Sequence, residues 1–321
     1  MRTVAKINHG SGRDHGLRYD AVFLDVDHTL LWIHLDIEGY VEDLSPYTTN
    51  GLLTVERATG PVWEGMRRHI KENIKHRTED DLADFKCGNV ERTARELGIV
   101  APSEILIEVA ERRTSLVPYP ESEAVLRRLR EMGLKPYVVS NWDVLLAEVL
   151  KDLGWMRYFD GVIASGVVGV EKPDPRIFEE ALRVSGVGRE RAIHVGNDPI
   201  SDIRGAAEVG IDTVLVDRRG DIEAPEATFA IPDLDSLPGY WRVEGFCLRR
   251  FPASMRWTGR ASSVRCARSS SPSAKGPNVK GFWTPRNASP TPARASLPGS
   301  ARIRLATWRS VSWKPRWRRR R

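Results

Sequence analysis

The stretch Phe23–Leu30, which reads FLDVDHTL, indicates the fold most clearly. An apolar strand, Ala21–Leu24, runs into two carboxylates one residue apart, Asp25 and Asp27, and a hydroxyl follows at Thr29. Two acids in one short turn repel each other, so the usual reason for such a pair is a bound divalent cation, a shared proton, or both. Open α/β folds place their active sites at the carboxyl edge of the sheet, so this turn is the candidate active site.

Outward from this turn, short apolar strands alternate with helical stretches up to about residue 238. Helices recur between the strands, and such repetition implies right-handed crossovers and a parallel sheet with helices on both faces. The sequence therefore predicts an α/β fold, a Rossmann-like doubly wound parallel sheet. The predicted strands are Ala21–Leu24, Lys135–Val139, Gly161–Ala164, Ala192–Val195, Thr213–Val216 and a weaker one at Thr228–Ile231, and the predicted helices between them are Glu121–Met132, Asp143–Leu153, Pro175–Val184 and Asp202–Val209.

One interval breaks the alternation, because about a hundred residues separate the first strand from the second, far more than one crossover needs. This interval carries apolar residues three or four apart, which is typical of amphipathic helices. We therefore predict a helical insert over residues 39–115 and a core made of residues 19–38 and 116–238. A helical lid over the sheet edge would exclude water and select the substrate. The predicted helices of the insert are Pro61–Ile74, Asp80–Leu97 and Ser103–Arg113.

Three further polar segments follow later strands or precede a helix. Ser140 and Asn141 end the second core strand, Lys172 precedes a helix that begins with proline, and Gly196–Asp202 (GNDPISD) ends the fourth. Parallel strands end at one edge of a sheet, so all of these segments can meet in a single crevice. Carboxylates, a lysine, hydroxyls and backbone amides together suit a phosphoryl group, whose charge is stabilised by Mg²⁺ and lysine.

Taken in order, these motifs resemble those of the haloacid dehalogenase superfamily, most of whose members are phosphatases. The resemblance covers Tyr19–Leu237, and the helical insert sits where that superfamily carries its type-one cap. It implies that Asp25 attacks phosphorus and that Asp27 protonates the leaving oxygen and then activates water. It also implies that Lys172 pairs with Asp25 and the phosphate.

The resemblance further implies a set of phosphate and metal ligands. Thr29 and Ser140 would hydrogen-bond the phosphate oxygens, with the help of Asn141. Mg²⁺ would be held by the Asp25 side chain, the main-chain carbonyl of Asp27 and an acid of the fourth motif.

The fourth motif departs from the commoner pattern, which has aspartate directly after the glycine. This chain has Asn197 there, followed by Asp198. Either Asn197 binds the metal through its neutral oxygen, or Asp198 or Asp202 supplies the charged ligand. We favour Asp198 as the direct ligand with Asp202 as its support.

The two ends of the chain differ sharply in charge. Residues before Tyr240 contain 29 Lys/Arg and 42 Asp/Glu, whereas residues from Tyr240 onward contain 20 Lys/Arg and 1 Asp/Glu. The region 239–321 lacks sustained periodicity, which favours a disordered tail or the translation of a shifted reading frame over a nucleic-acid-binding segment. Residues 1–18 form a short leader that lacks the apolar stretch of a signal peptide.

These observations lead to one principal hypothesis, a Mg²⁺-dependent phosphatase that acts on a small phosphorylated metabolite in the cytoplasm. No apolar run is long enough for a membrane span, and the three cysteines form neither a disulfide framework nor a zinc motif. The alternatives are a 2-haloacid dehalogenase, a phosphomutase, and a non-catalytic protein that binds nucleic acid through its basic tail. Members of the dehalogenase group generally lack the second aspartate, so Asp27 favours phosphate chemistry. Nothing in the sequence indicates the substrate or the oligomeric state.

Overall fold

The computed structural model describes residues 18–49, 51–240 and 303–304. Its central element is a sheet of six parallel strands in the order β5-β4-β1-β6-β7-β8. All six predicted core strands are present, and their ends differ from the prediction by one residue at most. The strands are β1 (Ala21–Leu24), β4 (Lys135–Ser140), β5 (Gly161–Ala164), β6 (Ala192–Gly196), β7 (Asp212–Val216) and β8 (Phe229–Ile231).

Both faces of this sheet are covered, as the predicted fold requires. Along β1, Val22 and Leu24 pack into one apolar cluster, whereas Ala21 and Phe23 pack into another on the opposite face. Alternate residues of a strand point to opposite faces, so β1 is central and buried on both sides. The α/β Rossmann-like prediction is confirmed. The core helices are α5 (Ser122–Glu131), α6 (Leu146–Asp152), α7 (Ser165–Val168), α8 (Pro175–Ser185) and α9 (Gly205–Glu208).

The insert between the first two core strands is mainly helical and has an apolar cluster of its own. It enters and leaves through an antiparallel pair of strands, β2 (Leu31–Leu35) and β3 (Thr114–Pro118), which the sequence analysis missed. The predicted limits of 39 and 115 fall inside the first helix and inside β3. Whether the insert is a domain in its own right stays a prediction. Its helices are α1 (Ile37–Leu44), α2 (Val55–Glu72), α3 (Glu79–Leu97) and α4 (Ser103–Arg112).

Several predicted helix ends were wrong for identifiable reasons. Pro61 lies inside α2, which begins six residues earlier because the Thr54 side chain caps it by accepting a hydrogen bond from the Arg57 amide. The predicted helix at Asp143 begins only at Leu146, because the Asp143 carboxylate accepts the Leu145 amide in a turn. In place of a helix over 202–209, a wide π-type turn (Pro199–Arg204) precedes the short α9.

The predictions for the leader 1–18 and the tail 239–321 lie almost entirely outside the described residues. Within the tail, β9 (Ile303–Arg304) pairs with β3 in an antiparallel register. Among the described residues, no helix combines the length and the apolar character that a membrane span requires.

Candidate active site

The polar motifs meet at the carboxyl edge of the parallel sheet. Asp25 directly follows β1, Ser140 is the last residue of β4, and Asn197 directly follows β6. In the sheet, β4 and β6 lie on either side of β1. The Asp25 amide donates to the Val195 carbonyl of β6 at 2.9 Å. The sheet topology therefore brings together residues that are up to 172 positions apart in the sequence.

Asp25 is the centre of this arrangement and is 6% exposed. Its Oδ1 accepts from Ser140 Oγ at 2.9 Å and from Lys172 Nζ at 2.7 Å. Its Oδ2 accepts from Thr29 Oγ1 at 3.1 Å. Three side chains from separate segments thus fix both oxygens of one carboxylate.

Lys172 is buried between two carboxylates. Its Nζ donates to Asp202 Oδ1 at 2.6 Å as well as to Asp25. Burial alone would lower the pKa of Lys172, but Asp202 and Asp25 outweigh it, and the net pKa is raised. The Asn141 side chain clamps the lysine main chain, because its Oδ1 accepts the Lys172 amide at 2.7 Å and its Nδ2 donates to the Lys172 carbonyl at 2.9 Å.

The two carboxylates share one ammonium group unequally. Burial would raise the pKa of Asp202, but Lys172 and His194 hold it far below its ordinary range. Burial raises the pKa of Asp25 against the opposing effect of Lys172, and the charge on Asp202 raises it further. The ionised form of Asp25 is therefore disfavoured, and a cation placed beside it would favour that form.

Asp202 is fixed from several sides. His194 Nε2 lies 3.0 Å from its Oδ1, and the Asp198 amide donates to its Oδ2 at 2.9 Å. A Cβ on Gly196 would lie 2.2 Å from the Asp202 carboxyl carbon, so only glycine fits at the end of β6. His194 was not selected from the sequence, because it lies inside the apolar strand β6, but the structure makes it the partner of Asp202.

Asn197 and Asp198, the alternative and the favoured metal ligand of the fourth motif, face different groups. The Asp198 carboxylate faces its own turn and accepts the amides of Ile200 and Ser201 at 2.9 and 2.6 Å. Asn197 Oδ1 instead lies 3.2 Å from Thr29 Oγ1, the hydroxyl that also contacts Asp25. The geometry thus brings Asn197, and not the Asp198 carboxylate, to the candidate nucleophile.

Asp27 sits at the edge of the site in a different electrostatic environment. Burial raises its pKa to about 6, against the lowering effect of His28. Its Oδ1 is buried and has no hydrogen-bond partner among the described residues. His28 adopts a left-handed conformation with φ of 57°, which turns the chain sharply after Asp27. Asp27 can therefore hold a proton near neutral pH and offer it to a bound molecule.

The oxygens around Asp25 fit a hard cation such as Mg²⁺. In the described part of the chain, no three His, Cys, Asp or Glu side chains form a metal-binding group. However, Mg²⁺ keeps several waters and commonly takes only one or two protein carboxylates together with substrate phosphate oxygens. Asp25 Oδ2 and Asn197 Oδ1 converge on one hydroxyl, and a cation beside Asp25 would stabilise its ionised form against the effect of burial. The donor set is thus suitable, with one carboxylate and neutral oxygens.

Arg218, the second residue after β7, supports the turn that carries Asp25 and Asp27 and was missed from the sequence. Its Nη2 donates to the Thr29 carbonyl at 3.0 Å, and its Nη1 donates to Glu121 Oε1 at 2.7 Å. The guanidinium lies 3.4 Å from the centre of the Tyr119 ring. The only signal in the sequence was its position after a predicted strand, which is shared by many residues that have no such role.

A cavity of about 200 Å³ extends from Asp27 towards the helical insert. Its walls are mostly apolar, and the loop 141–143 forms the side that belongs to the core. On the opposite side, His69 of α2 and Lys86 of α3 both approach Asp143, each at 3.4 Å from Oδ2. None of these three residues was selected from the sequence, because each pairs only across the boundary between the insert and the core.

Comparisons with known proteins agree with this geometry. A family model described as haloacid dehalogenase-like hydrolase matches residues 19–210. The chain is similar to a phosphoserine phosphatase of Thermus thermophilus, with 36% identity over 189 residues, which are 59% of this chain and 66% of that protein. It is also similar to a glyceraldehyde 3-phosphate phosphatase of Methanopyrus kandleri, with 44% identity over 124 residues, 37% of this chain and 52% of that protein.

A solved structure supports the fold alone. The L-2-haloacid dehalogenase of Xanthobacter autotrophicus, solved with chloropropionic acid covalently bound, has a TM-score of 0.50 and 21% identity. The match covers 69% of this chain and 97% of that protein. The chain spans about half to two thirds of the length of the two phosphatases it resembles.

Proposed function

Because the chain belongs to the haloacid dehalogenase-like hydrolases, we propose that it is a Mg²⁺-dependent phosphatase that cleaves a small phosphorylated metabolite through an aspartyl-phosphate on Asp25. The observation that carries the proposal is that two carboxylates of one turn lie in different electrostatic environments. Asp25 is held by the Lys172 ammonium group, and a cation beside it would favour its ionised form. Asp27 Oδ1 has no hydrogen-bond partner among the described residues, and burial raises the pKa of Asp27 to about 6. Such a pair supplies a nucleophile and a proton donor at the same pH.

In the first step, a carboxylate oxygen of Asp25 attacks phosphorus and the bond from phosphorus to the leaving oxygen breaks. Lys172 lies within 2.7 Å of Asp25, so its charge also reaches phosphate oxygens that arrive beside the nucleophile. Ser140 and Thr29 already point hydroxyls at Asp25 and can redirect them to the phosphoryl oxygens. Donors held in place before the reaction stabilise the developing charge without reorganisation.

Asp27 completes the proton balance of both steps. It gives its proton to the leaving oxygen, and it then takes a proton from the water that attacks the phosphorus of the aspartyl-phosphate. The second step releases inorganic phosphate and restores both carboxyl groups. A pKa of about 6 suits the two roles, because neither protonation state is then rare near neutral pH.

The residues proposed to hold Mg²⁺ are Asp25, through its side chain, and Asp27, through its main-chain carbonyl. For the fourth motif, the contact between Asn197 and Thr29 supports Asn197 as a neutral ligand. Asp202 is engaged with Lys172 and Asp198 caps its own turn, so their proposed part is to hold this loop in place. When bound, Mg²⁺ neutralises charge on the phosphoryl oxygens.

Dehalogenation is the second candidate, but Asp27 argues against it. A halide leaves without a proton, so that chemistry does not require a half-buried acid with a raised pKa beside the nucleophile. Phosphate esters of ordinary alcohols do require a proton at the leaving oxygen. The names of the two similar phosphatases add phosphoserine and glyceraldehyde 3-phosphate as candidate substrates.

The proposal is tested by hydrolysis of p-nitrophenyl phosphate with Mg²⁺ and with EDTA, in the native protein and in Asp25→Asn. Phosphate release that requires metal and is lost in the variant is the expected result. Release of chloride from 2-chloropropionate without phosphatase activity would support dehalogenation instead. An unchanged rate in Asp25→Asn would rule out the proposed nucleophile.

A matched pair of variants tests the metal ligand. Asn197→Asp adds a charge at the proposed ligand and is expected to lower the Mg²⁺ concentration that gives half-maximal activity. Asp198→Asn is expected to change that concentration less, because its carboxylate faces its own turn. The reverse order would restore Asp198 as the ligand.

A further inference from the structure

The cavity beside Asp27 has a size that restricts the leaving group. Asp27 lines its inner end, so the group whose oxygen is protonated there occupies this space. A cavity of 150 Å³ accommodates benzene, so the volume of about 200 Å³ found here suits roughly eight non-hydrogen atoms. Glycerol or glyceraldehyde fits that limit, whereas a nucleoside is about twice as large.

The charges around the cavity restrict its chemistry as well. Among the described residues, the basic side chains that line it are His69, Lys86 and Arg113. Each faces a carboxylate: the first two approach Asp143, and Arg113 contacts Asp36 at 3.0 Å. A leaving group with its own carboxylate would therefore find cations that are already neutralised, and its burial would be costly.

Asp143 is the carboxylate that faces two of these cations, and Glu111, which also lines the cavity, adds a second negative charge that acts on Lys86. Asp143 is 3% exposed, and His69 and Lys86 overcome the effect of burial and hold its pKa at about 2. It is therefore ionised at every pH at which the enzyme would work. Its main chain is held against α7, since a Cβ on Gly166 would lie 2.9 Å from the Asp143 carbonyl carbon.

Neutral polar groups complete the lining. Tyr40 is 5% exposed, and its hydroxyl has no hydrogen-bond partner in the described part of the chain. Asn73 is 7% exposed and lines the same cavity. Hydroxyl and amide groups suit alcohol or carbonyl oxygens, and the apolar walls suit the carbon skeleton that carries them.

We propose that this cavity receives a small uncharged hydroxylated leaving group, and that Asp143 is a specificity-determining residue because it neutralises Lys86. The inference rests on the proposed phosphatase function. It predicts that esters such as glycerol 3-phosphate or glyceraldehyde 3-phosphate are preferred to 3-phosphoglycerate, whose leaving group carries a carboxylate.

The first arm of the test needs no variant. The native protein is assayed with glycerol 3-phosphate, 3-phosphoglycerate, adenosine monophosphate and p-nitrophenyl phosphate. We expect kcat/KM for glycerol 3-phosphate to exceed that for 3-phosphoglycerate and that for adenosine monophosphate, each by at least about tenfold. For 3-phosphoglycerate, this factor corresponds to the effect of one charged hydrogen bond. A preference for 3-phosphoglycerate or the nucleotide would overturn the inference.

The second arm reverses the preference. Asp143→Asn keeps the shape but removes the carboxylate that lies 3.4 Å from Lys86 Nζ. We therefore expect the ratio of kcat/KM for 3-phosphoglycerate to that for glycerol 3-phosphate to rise about tenfold. Adding Lys86→Met to that variant should abolish the gain. Asp36→Asn is the matched control, because it removes another cavity carboxylate while Arg113 keeps Asp43 at 2.6 Å.

The outcomes separate this inference from the proposed function. Absence of phosphate release by the native protein from all four esters in the presence of Mg²⁺ would overturn both. Hydrolysis with a ratio that stays constant in Asp143→Asn, or that rises as much in Asp36→Asn, would overturn the inference alone. If Asp143→Asn does not fold, the substrate preference of the native protein still decides the question.

Discussion

Two buried lysines, one at the sheet edge and one in the insert, use their charge in different ways. Lys172 donates to two carboxylates at 2.6 and 2.7 Å, whereas Lys86 lies 3.4 Å from the Asp143 carboxylate, which His69 approaches at the same distance. Burial lowers the pKa of both, but only for Lys172 do the carboxylates reverse the effect. The tight network suits a group that must hold a reacting carboxylate. The longer contacts around Lys86 suit a cavity lining whose charges only have to offset each other.

The difference follows from where each lysine is attached. Lys172 lies at the carboxyl edge of the parallel sheet, where β1, β4 and β6 fix its partners in a rigid core. Lys86 belongs to α3 of the insert and meets Asp143 only across the boundary with the core. Contacts that cross such a boundary can be changed without disturbing the sheet, so the core would keep the chemistry while the insert sets the choice of substrate.

The largest effect is expected at the sheet edge, from Asp27→Asn. Loss of the general acid should lower kcat/KM for an alkyl phosphate by about 10²–10⁴-fold. The loss should be far smaller for p-nitrophenyl phosphate, whose leaving group needs little protonation. Equal losses for good and poor leaving groups would contradict the assignment of Asp27 as the acid.

The same residue predicts the pH dependence of the native protein. The first step requires protonated Asp27, whose pKa is about 6, so kcat/KM for an alkyl phosphate should fall as pH rises above that value. A pH profile from 5 to 9 with saturating Mg²⁺ measures it. In Asp27→Asn this descending limb should disappear, and its persistence would assign it to another group.

The comparison of the two lysines is tested most directly by stability. Lys172→Met removes the cation from two buried carboxylates and leaves only His194 beside Asp202. This change should cost about 3 kcal/mol or more of unfolding free energy at pH 7. Lys86→Met leaves Asp143 with His69, and about 1–2 kcal/mol is expected. Urea unfolding of both variants measures the difference. A larger loss for Lys86→Met would invert the proposed division between core and insert.

The smallest effect concerns the stability cost of Asp27. Its pKa in the folded protein lies above the ordinary value of 3.8, so folding disfavours the ionised form, and the cost is present in full above about pH 6 and vanishes below about pH 4. Asp27→Asn should therefore raise the melting temperature more at pH 8 than at pH 4, with EDTA present. About 1 kcal/mol is expected, because the side chain is one third exposed. A gain independent of pH would refute this explanation.

The core of the fold could be predicted from the sequence because its strands are short apolar runs that end in polar motifs. Asp25, Thr29, Ser140 and Lys172 meet because parallel strands finish at one edge, which is a property of the topology alone. The pairing of β2 with β3 could not be predicted, since their residues are about eighty positions apart and five-residue strands carry little periodicity. The start of α2 was missed because Pro61 was taken as its first turn, although Thr54 is the cap.

The orientation of the side chains in the fourth motif could not be predicted from the sequence either. Asp198 and Asn197 are adjacent, and only the π-type turn decides that the Asp198 carboxylate binds its own amides while the Asn197 oxygen faces Thr29. The contacts of Asp143 with His69 and Lys86 depend on how the insert packs on the core. A single sequence carries no signal for that packing.

The central claim is that Asp25 carries a phosphoryl group during turnover, and rapid acid quenching tests it most directly. Native protein is mixed with ³²P-labelled substrate and Mg²⁺, quenched in acid, and digested for peptide mass spectrometry. We expect an acid-stable, base-labile phosphate on the peptide that contains Asp25 in the native protein, and no such phosphate in Asp25→Asn. Turnover without any label on that peptide, or label that persists in Asp25→Asn, would contradict it.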